Sequence, residues 1–369
     1  MVDIARRNLF SDKGRLFISA GGVAFAVLLI SILVGLYQGW SQAVTSFVRS
    51  AGADVWVRQY GTADMFHSTS FMPAFTADQI RLMPGVTQVT PFIGRTANVT
   101  IGDKQPMAYL VGYNSQEQVG GPVRMLSGSG SPAPGQIVFD RSLAAANNVK
   151  IGQRVSVLGK SMEVVGISDG GNMMIYSFAF ISRQDAQELL RMKDLANFFL
   201  LKVPDVSKRG EVVSAINRSI AGVDALSLEQ FAEVNRGFID GTFLPIILVL
   251  VFIGFGIGVA VIGLTIYAAT MEKSREFGVL KAMGATNRRL YRIVLEQALV
   301  AGVLGYVLGA VLTLGVAAVA QRSSPMFVVN LTPPAMLGIA GLALLMSVAA
   351  SYFPVNRLVR IDPAIVFRS

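Results

Sequence analysis

The 369-residue chain has no cysteine and a single histidine, His67. The first absence excludes a disulfide framework and thiol chemistry. The second leaves too few imidazoles for a His-rich metal site, and only His67 itself for a Ser-His-Asp triad, which is not expected. Charged residues are also scarce, 15% of the chain, and none lies at the middle of its long apolar runs. Buried ionisable groups mark ion and proton paths through a membrane, so a secondary transporter, an ion channel and an intramembrane protease are all disfavoured.

Long apolar runs are what the chain does have, with 52% hydrophobic residues and a mean hydropathy of +0.53. One run covers Leu16 to Tyr37, and three follow near the C-terminus, at about Phe243 to Ala269, Ala298 to Ala320 and Ala335 to Phe353. Each is near the roughly 20 residues that an α-helix needs to cross the hydrocarbon core of a bilayer. The first exceeds the length of a signal-peptide core and reads as an uncleaved anchor. The expected fold is an integral membrane protein with four transmembrane α-helices, one plus three. A large extracytoplasmic α+β domain is inserted between helix 1 and helix 2. The expected segments are a cytoplasmic amphipathic helix at 1–15, spans at 16–39, 243–270, 295–320 and 334–355, and the inserted domain at 40–240. A segment at 271–294 and a tail at 356–369 complete the chain.

The net charge of +9 is not spread evenly. Thirteen basic residues lie in the N-terminal segment, the 271–294 loop and the C-terminal tail, against six acidic ones counting Glu296; residues 40–240 are near neutral. Such an excess marks the cytoplasmic side. Both termini and the 271–294 loop are therefore expected inside and the large domain outside, and a nucleic-acid partner is not expected.

Within the inserted domain, alternation predicts strands at 53–58, 87–93, 97–101 and 107–111. Thr76 is expected to N-cap a helix over 77–83 that Pro84-Gly85 ends. A strand at 198–203, a helix at 207–220 and a strand at 223–226 follow later. The Gly/Ser/Pro-rich stretch 120–135 reads as a loop. A β-rich lobe, about 120–195, has strands at 137–139, 154–158, 162–167 and 176–181 and a helix at 141–147. Gly159-Lys160-Ser161 could be mistaken for part of a phosphate loop, but position 154 is Arg where a Walker A motif needs Gly. A hairpin turn fits the flanking strands better. Helical stalks are expected to extend span 1 outward and to lead into span 2 near 228–238.

Two constellations have more than one reading. Gly254-x-x-x-Gly258 and Gly305-x-x-x-Gly309 fit small-xxx-small helix packing, either within one subunit or as a dimer seam. Met65, His67, Met72 and Met173-Met174 form a loose soft-ligand set that could contact heme or another substrate. Met also fills cores. Glu229 and Glu233 near the outer mouth of span 2 are either substrate contacts or a solvated stalk face. No metal is expected to be bound by this chain.

The loop after span 2 reads Glu272-Lys273-Ser274-Arg275-Glu276-Phe277-Gly278-Val279-Leu280-Lys281-Ala282-Met283-Gly284-Ala285. It resembles the E-x-x-R-E-[IF]-x-[VT]-L-K-A-[LMI]-G-A signature of FtsX/MacB-type permeases, the four-span subunits of mechanotransmitting ABC transporters. The one-plus-three layout is similar too. The resemblance implies that Glu272, Arg275, Glu276, Phe277, Leu280, Lys281 and Gly284 couple the chain to a separate ABC ATPase subunit dimer. It implies a second copy of the chain, contacts with membrane lipids, and a periplasmic adaptor where the cell has two membranes. ATP and Mg would sit on the partner, with no cofactor on this chain and no enzymatic activity of its own. Cargo would be a lipid, glycolipid, lipoprotein, drug, peptide or heme, as for the smaller glycolipid- and heme-exporter permeases. The alternative is a regulator like FtsX that activates a cell-wall hydrolase without transport. FtsX proteins carry an external domain roughly half this size, which favours transport.

Overall fold

The computed structural model describes residues 13–66, 70–173, 176–272, 275–276, 279, 281, 286–323 and 327–359. They form two compact units. One contains residues 1–38, 243–319 and 329–369; the other contains 39–242 and 320–328. The chain passes from the first to the second inside one helix, α1 (Lys13–Ser50).

The inserted unit continues with β1 (Val55–Gln59), β2 (Met72–Pro73), α2 (Thr76–Arg81), β3 (Gln88–Thr100), β4 (Met107–Tyr113), β5 (Arg124–Gly128), β6 (Gln136–Asp140) and α3 (Arg141–Ala146). Then come β7 (Arg154–Val157), β8 (Lys160–Asp169), β9 (Asn172–Met173), β10 (Tyr176–Ser182), α4 (Arg183–Leu189), β11 (Leu195–Ala196), β12 (Phe198–Lys202), α5 (Arg209–Ser219), β13 (Val223–Ser227) and α6 (Leu228–Thr242). The main sheet runs β13-β1-β12-β3-β4-β10-β6-β8-β5, with β7 bridging β3 and β8.

Strand β3 holds the two halves of this sheet together. Its first part pairs antiparallel with β12, Gln88 to Phe92 facing Lys202 to Phe198. Its second part pairs with β4 and then, at Val99 and Thr100, with β7. Gly94 marks the changeover. Its N–H donates to the Asn197 Oδ1 at 2.8 Å, and a Cβ there would stand 2.6 Å from the Tyr109 ring. Each half has its own core. One gathers Val55, Val57, Ile80, Phe199, Leu201 and Ile216, with α2 and α5 supplying the helical layer. The other gathers Leu110, Phe139, Val157, Met162, Ile181 and Leu143. Strands β1 and β12 are apolar at successive positions because both of their faces are covered: Val55, Val57, Phe199 and Leu201 point to the first core, and the alternate residues Trp56, Phe198 and Leu200 are equally buried.

Several local expectations need correction. The two strands expected at 87–93 and 97–101 are the single β3, whose Gly94 and Arg95 pair with Val111 and Leu110 rather than turning. Thr76 does not cap α2. It is the buried first residue of the helix, after Phe75, which makes no side-chain cap bond. The stretch 120–135 contains β5, an edge strand paired with β8 through a bulge between Met125 and Ser127. Its Gly, Ser and exposed residues mask the strand because only one edge is bonded. The 158–160 region is a hairpin: Val157 pairs with Lys160, and the two linking residues, Leu158 and Gly159, have φ of 50° and 90°. Positive φ at both positions is the type I′ geometry that matches strand twist.

The membrane unit adds α7 (Leu244–Glu272), α8 (Asn287–Ser323) and α9 (Pro333–Val359) to the first part of α1. All four helices are long and apolar enough to cross a membrane. Their shared core contains Val23, Val27 and Ile30 of α1, Ile262 and Ile266 of α7, Val294 and Ala298 of α8, and Ile339, Ala343 and Met346 of α9. Between lipid-immersed helices, association depends on close packing more than on apolar burial, and glycines supply it. A Cβ on Gly309 would lie 2.7 Å from the Ala24 carbonyl oxygen and from Val27 Cβ; one on Gly305 would stand 2.8 Å from the Ala20 carbonyl oxygen and collide with Val23. Hydroxyls inside the unit bond back along their own helices: Thr265 to the Val261 carbonyl at 2.6 Å, Thr313 to Gly309 at 2.7 Å and Ser347 to Ala343 at 2.9 Å. This satisfies polar atoms that hydrocarbon cannot. Exposed Leu248, Phe252, Val307, Val311 and Leu345 give the unit an apolar outer surface suited to lipid.

Two predictions arise. Gly305→Val should lower the detergent melting temperature of the purified chain, since overpacking costs about 1–3 kcal/mol. Gly315→Val in the same helix, where a Cβ meets nothing within 4 Å, should leave it unchanged. The second concerns Asp185. Burial alone would raise its pKa, but hydrogen bonds from Lys160 Nζ and the Gly135 N–H, each 2.8 Å, and from Ser182 Oγ lower it below the usual aspartate value. A carboxyl with a lowered folded pKa stabilises the fold above its unfolded value, about 3.9, and loses that contribution as pH falls through the folded one. Asp185→Asn should therefore flatten the decline in stability below about pH 4, measured by near-UV circular dichroism. Asp140, raised chiefly by burial against bonds from Ser142 and Gly171, acts in the opposite sense and remains in the variant.

Candidate functional site

The charged segment after α7 is the first candidate. Helix α7 runs through Glu272, and Arg275, Glu276, Val279 and Lys281 are also helical. Glu272, Arg275 and Glu276 are exposed, while Lys281 is half-buried. Spacings of three and four residues put the first three on one helical face. Phe277, Leu280 and Gly284 lie outside the described residues, as do 1–12 and the tail beyond Val359. The described residues of the segment thus offer an exposed row of alternating charge at the end of a 29-residue apolar helix.

The second candidate is the aromatic layer that fastens two helices to the inserted sheet. Phe47, near the end of α1, is fully buried; its ring lies 4.2 Å from that of Phe178 on β10 and 6.0 Å from that of Phe92 on β3. Trp56 on β1 stacks on Phe231 of α6 at 4.6 Å, with the two planes 16° apart. Phe198 completes this group, 5.9 Å from Trp56 and 5.5 Å from Phe231. Phe92 touches both groups, 5.8 Å from Trp56, so the layer is continuous. Such ring pairs contribute about 0.5–1.5 kcal/mol each beyond their area burial. Helix α6 presents Phe231, Ala232, Asn235 and Ile239 as its buried stripe. Asn235 is fully buried, and its Oδ1 accepts the Met65 N–H at 2.9 Å while its amide donates to the Phe231 carbonyl at 2.7 Å.

The remaining predicted residues fall as follows. Met65 and Met72 are buried, Met72 in the same core as Val55 and Ile80, so both thioethers fill the interior. His67 lies outside the described residues. Glu229 and Glu233 are exposed on α6, and Glu229 forms a 3.4 Å ion pair with Arg49 of α1. Among the described residues no group of three or more His, Cys, Asp or Glu could hold a metal ion. The four glycines of the two small-xxx-small motifs are all filled from within the chain: Gly254 by Ile30, Gly258 by Met346 and Ala26, Gly305 by Val23, and Gly309 by Ala24 and Val27. Lys160, beside the hairpin glycine, bonds Asp185 at 2.8 Å and Glu188 at 2.7 Å. It is a structural cation on a turn. Sequence reading missed the aromatic layer, although its signal was present: Trp56, Phe92 and Phe198 each occupy the second apolar face of a strand.

Comparison with known proteins agrees with this organisation. Residues 16–219 match the MacB-like periplasmic core domain family, and residues 241–363 match the FtsX-like permease C-terminal family. An uncharacterised ABC transporter permease of Mycobacterium tuberculosis is 24% identical over 374 residues, covering 100% of this chain and 99% of the relative. The lipoprotein-releasing system transmembrane protein LolE of Haemophilus influenzae is 23% identical over 392 residues, covering 94% of this chain and 92% of LolE. Among solved structures, the periplasmic region of MacB from Actinobacillus actinomycetemcomitans aligns with a TM-score of 0.38 and 11% identity, over 50% of this chain and 94% of that one. With the core-domain family covering more than half of the chain and the permease family most of the rest, the chain belongs to the FtsX/MacB-type ABC transporter permeases.

Proposed function

We propose that this permease is the membrane subunit of an exporter driven by a separate ATPase dimer. In this reading the segment from Glu272 to Gly284 receives the motion of the ATPase on the cytoplasmic side. Helices α1 and α6 to α7 carry it to the inserted domain on the far side. The chain hydrolyses nothing itself. The observation that carries the reading is the exposed row Glu272, Arg275 and Glu276 at the end of α7, a charged surface that a partner can grip. It follows directly on an apolar helix, so force applied there acts on the helix.

Transmission at the other end falls to the aromatic layer. Phe47 and Phe231 set α1 and α6 against the sheet through rings in contact with one another. A packed interior has little compressibility, so a displacement of either helix is passed to β1, β3 and β12 rather than absorbed. The basic inner loops support both termini in the cytoplasm and the inserted domain outside. The spans hold hydroxyls bonded to their own backbones and no ionisable relay at mid-depth, which disfavours a hydrophilic path through the bundle. Cargo is therefore an amphiphilic or hydrophobic molecule taken at the outer leaflet. LolE, whose name assigns it to lipoprotein release, is a relative along nearly its whole length, and lipid-modified cargo suits the reading best. A second copy of the chain and a periplasmic adaptor would complete the machine.

Two predictions test the two ends of this path. Glu272→Lys with Glu276→Lys should leave the chain folded in the membrane but reduce cargo release per ATP hydrolysed at least tenfold in proteoliposomes; unchanged coupling would remove 271–286 from the path. Phe47→Ala should destabilise the inserted domain by about 3–5 kcal/mol. It should also reduce release while ATPase-subunit binding persists, read by pull-down and thermal melting, with Phe47→Leu intermediate in both.

A further inference from the structure

The stretch 327–332, between α8 and α9, is non-helical and half-buried throughout. It lies against a notch on α1 made by Gly35 and Gly39, one helical turn apart and both buried. A Cβ on Gly35 would stand 2.5 Å from Val329 Cγ1 and 3.4 Å from Leu331 Cδ2. A Cβ on Gly39 would collide with the Val328 carbonyl oxygen, and backbone cannot swing aside as a side chain can. Two hydrogen bonds secure the stretch. The Asn330 N–H donates to the Gly35 carbonyl at 2.9 Å, and the Thr332 N–H donates to Gln38 Oε1 at 3.1 Å. Both donors are main-chain groups of the stretch itself. On the far side of α9's first turn, Tyr306 of α8 donates its hydroxyl to the Met336 carbonyl at 3.2 Å.

We propose that 327–332 is a strap that fixes the height and rotation of α1 against the α8–α9 hairpin, so that these helices move as one body at this end of the membrane unit. A glycine notch accepts backbone at one axial position only: sliding α1 by one residue would bring Leu36 or Trp40 under the strap. Apolar side chains packed along the helices tolerate small slips; a main-chain hydrogen bond to a helix carbonyl does not. The strap thus removes the lost motion that would otherwise separate α1 from the bundle. Its use in transport rests on α1 carrying motion, as proposed above, but its placement does not.

The absence of cysteine makes the test direct. Gln38→Cys with Thr332→Cys in the full chain, in native membranes with its ATPase subunit, should form a disulfide nearly completely under mild oxidation. The cross-linked complex should keep most of its ATP-driven cargo release. No cross-link, or a cross-link that abolishes release until reductant restores it, would overturn the proposal, the latter because the strap would have to leave α1 during the cycle. Gly39→Val in the same background should expel the strap, lowering cross-link yield and cargo released per ATP several-fold; where that chain fails to accumulate, a Gly-Ser exchange of 327–331 takes its place. Undiminished coupling without the cross-link would also overturn it. If the unmodified complex hydrolyses ATP and releases no cargo, the export reading fails, while cross-linking and ATPase rate still report on the strap.

Discussion

The inserted domain is held to its two flanking helices by one run of touching rings, from Phe178 through Phe47, Phe92 and Trp56 to Phe198 and Phe231. The contact matters because these rings come from six different elements of the chain. Phe47 and Phe231 lie on α1 and α6, which enter and leave the domain; the rest lie on the strands. Trp56 Nε1 is buried without a hydrogen-bond partner, so its ring is positioned by packing alone. Removing any member opens a cavity that its neighbours, fixed in a sheet, cannot close. The two-faced burial of β1 and β12 is the same fact seen from the strands: one face serves the domain's own core, the other serves the helices.

The membrane unit follows a different rule. Its outer surface is as apolar as its interior, so burial of apolar area cannot decide which faces meet. Close backbone approach decides instead. Gly305 and Gly309 let α8 lie against Ala20, Val23, Ala24 and Val27 of α1, and Gly258 lets α7 meet Ala26 and Met346. Hydroxyl groups turn back on their own helices. The same economy of small residues appears at Gly35 and Gly39, where the partner is a non-helical stretch rather than a helix. Placing glycines at the contact points leaves the bulky residues for lipid.

The proposed function asks for two surfaces and a connection. In that proposal the exposed charged row at Glu272, Arg275 and Glu276 would supply one surface, and the inserted domain the other. The connection it proposes would run through α1 and through α6 and α7, with Phe47 and Phe231 packed in the ring layer of the inserted domain. Two of the chain's perturbed carboxyls, Asp140 and Asp185, lie at helix starts and strand ends of the inserted domain, where backbone N–H groups and Ser hydroxyls hold them.

The sequence by itself determined the four apolar helices, the place of the inserted domain, the basic segments and the motif at 271–286. These are one-dimensional properties: length of an apolar run, sign of charge and residue order survive without knowledge of neighbours. Most strands were legible for the same reason, since alternation is local. Tertiary structure decided the rest. That 87–101 is one strand depends on β12 and β4 being available as successive partners. That 124–128 pairs at all depends on an exposed edge of β8, and that Met65 and Met72 fill cores depends on what surrounds them. The glycine motifs read equally well as a subunit seam or as internal contacts. Only the positions of Ile30, Val23, Val27 and Met346 assign them to the inside of the chain, because a notch in a helix does not specify which side chain will enter it.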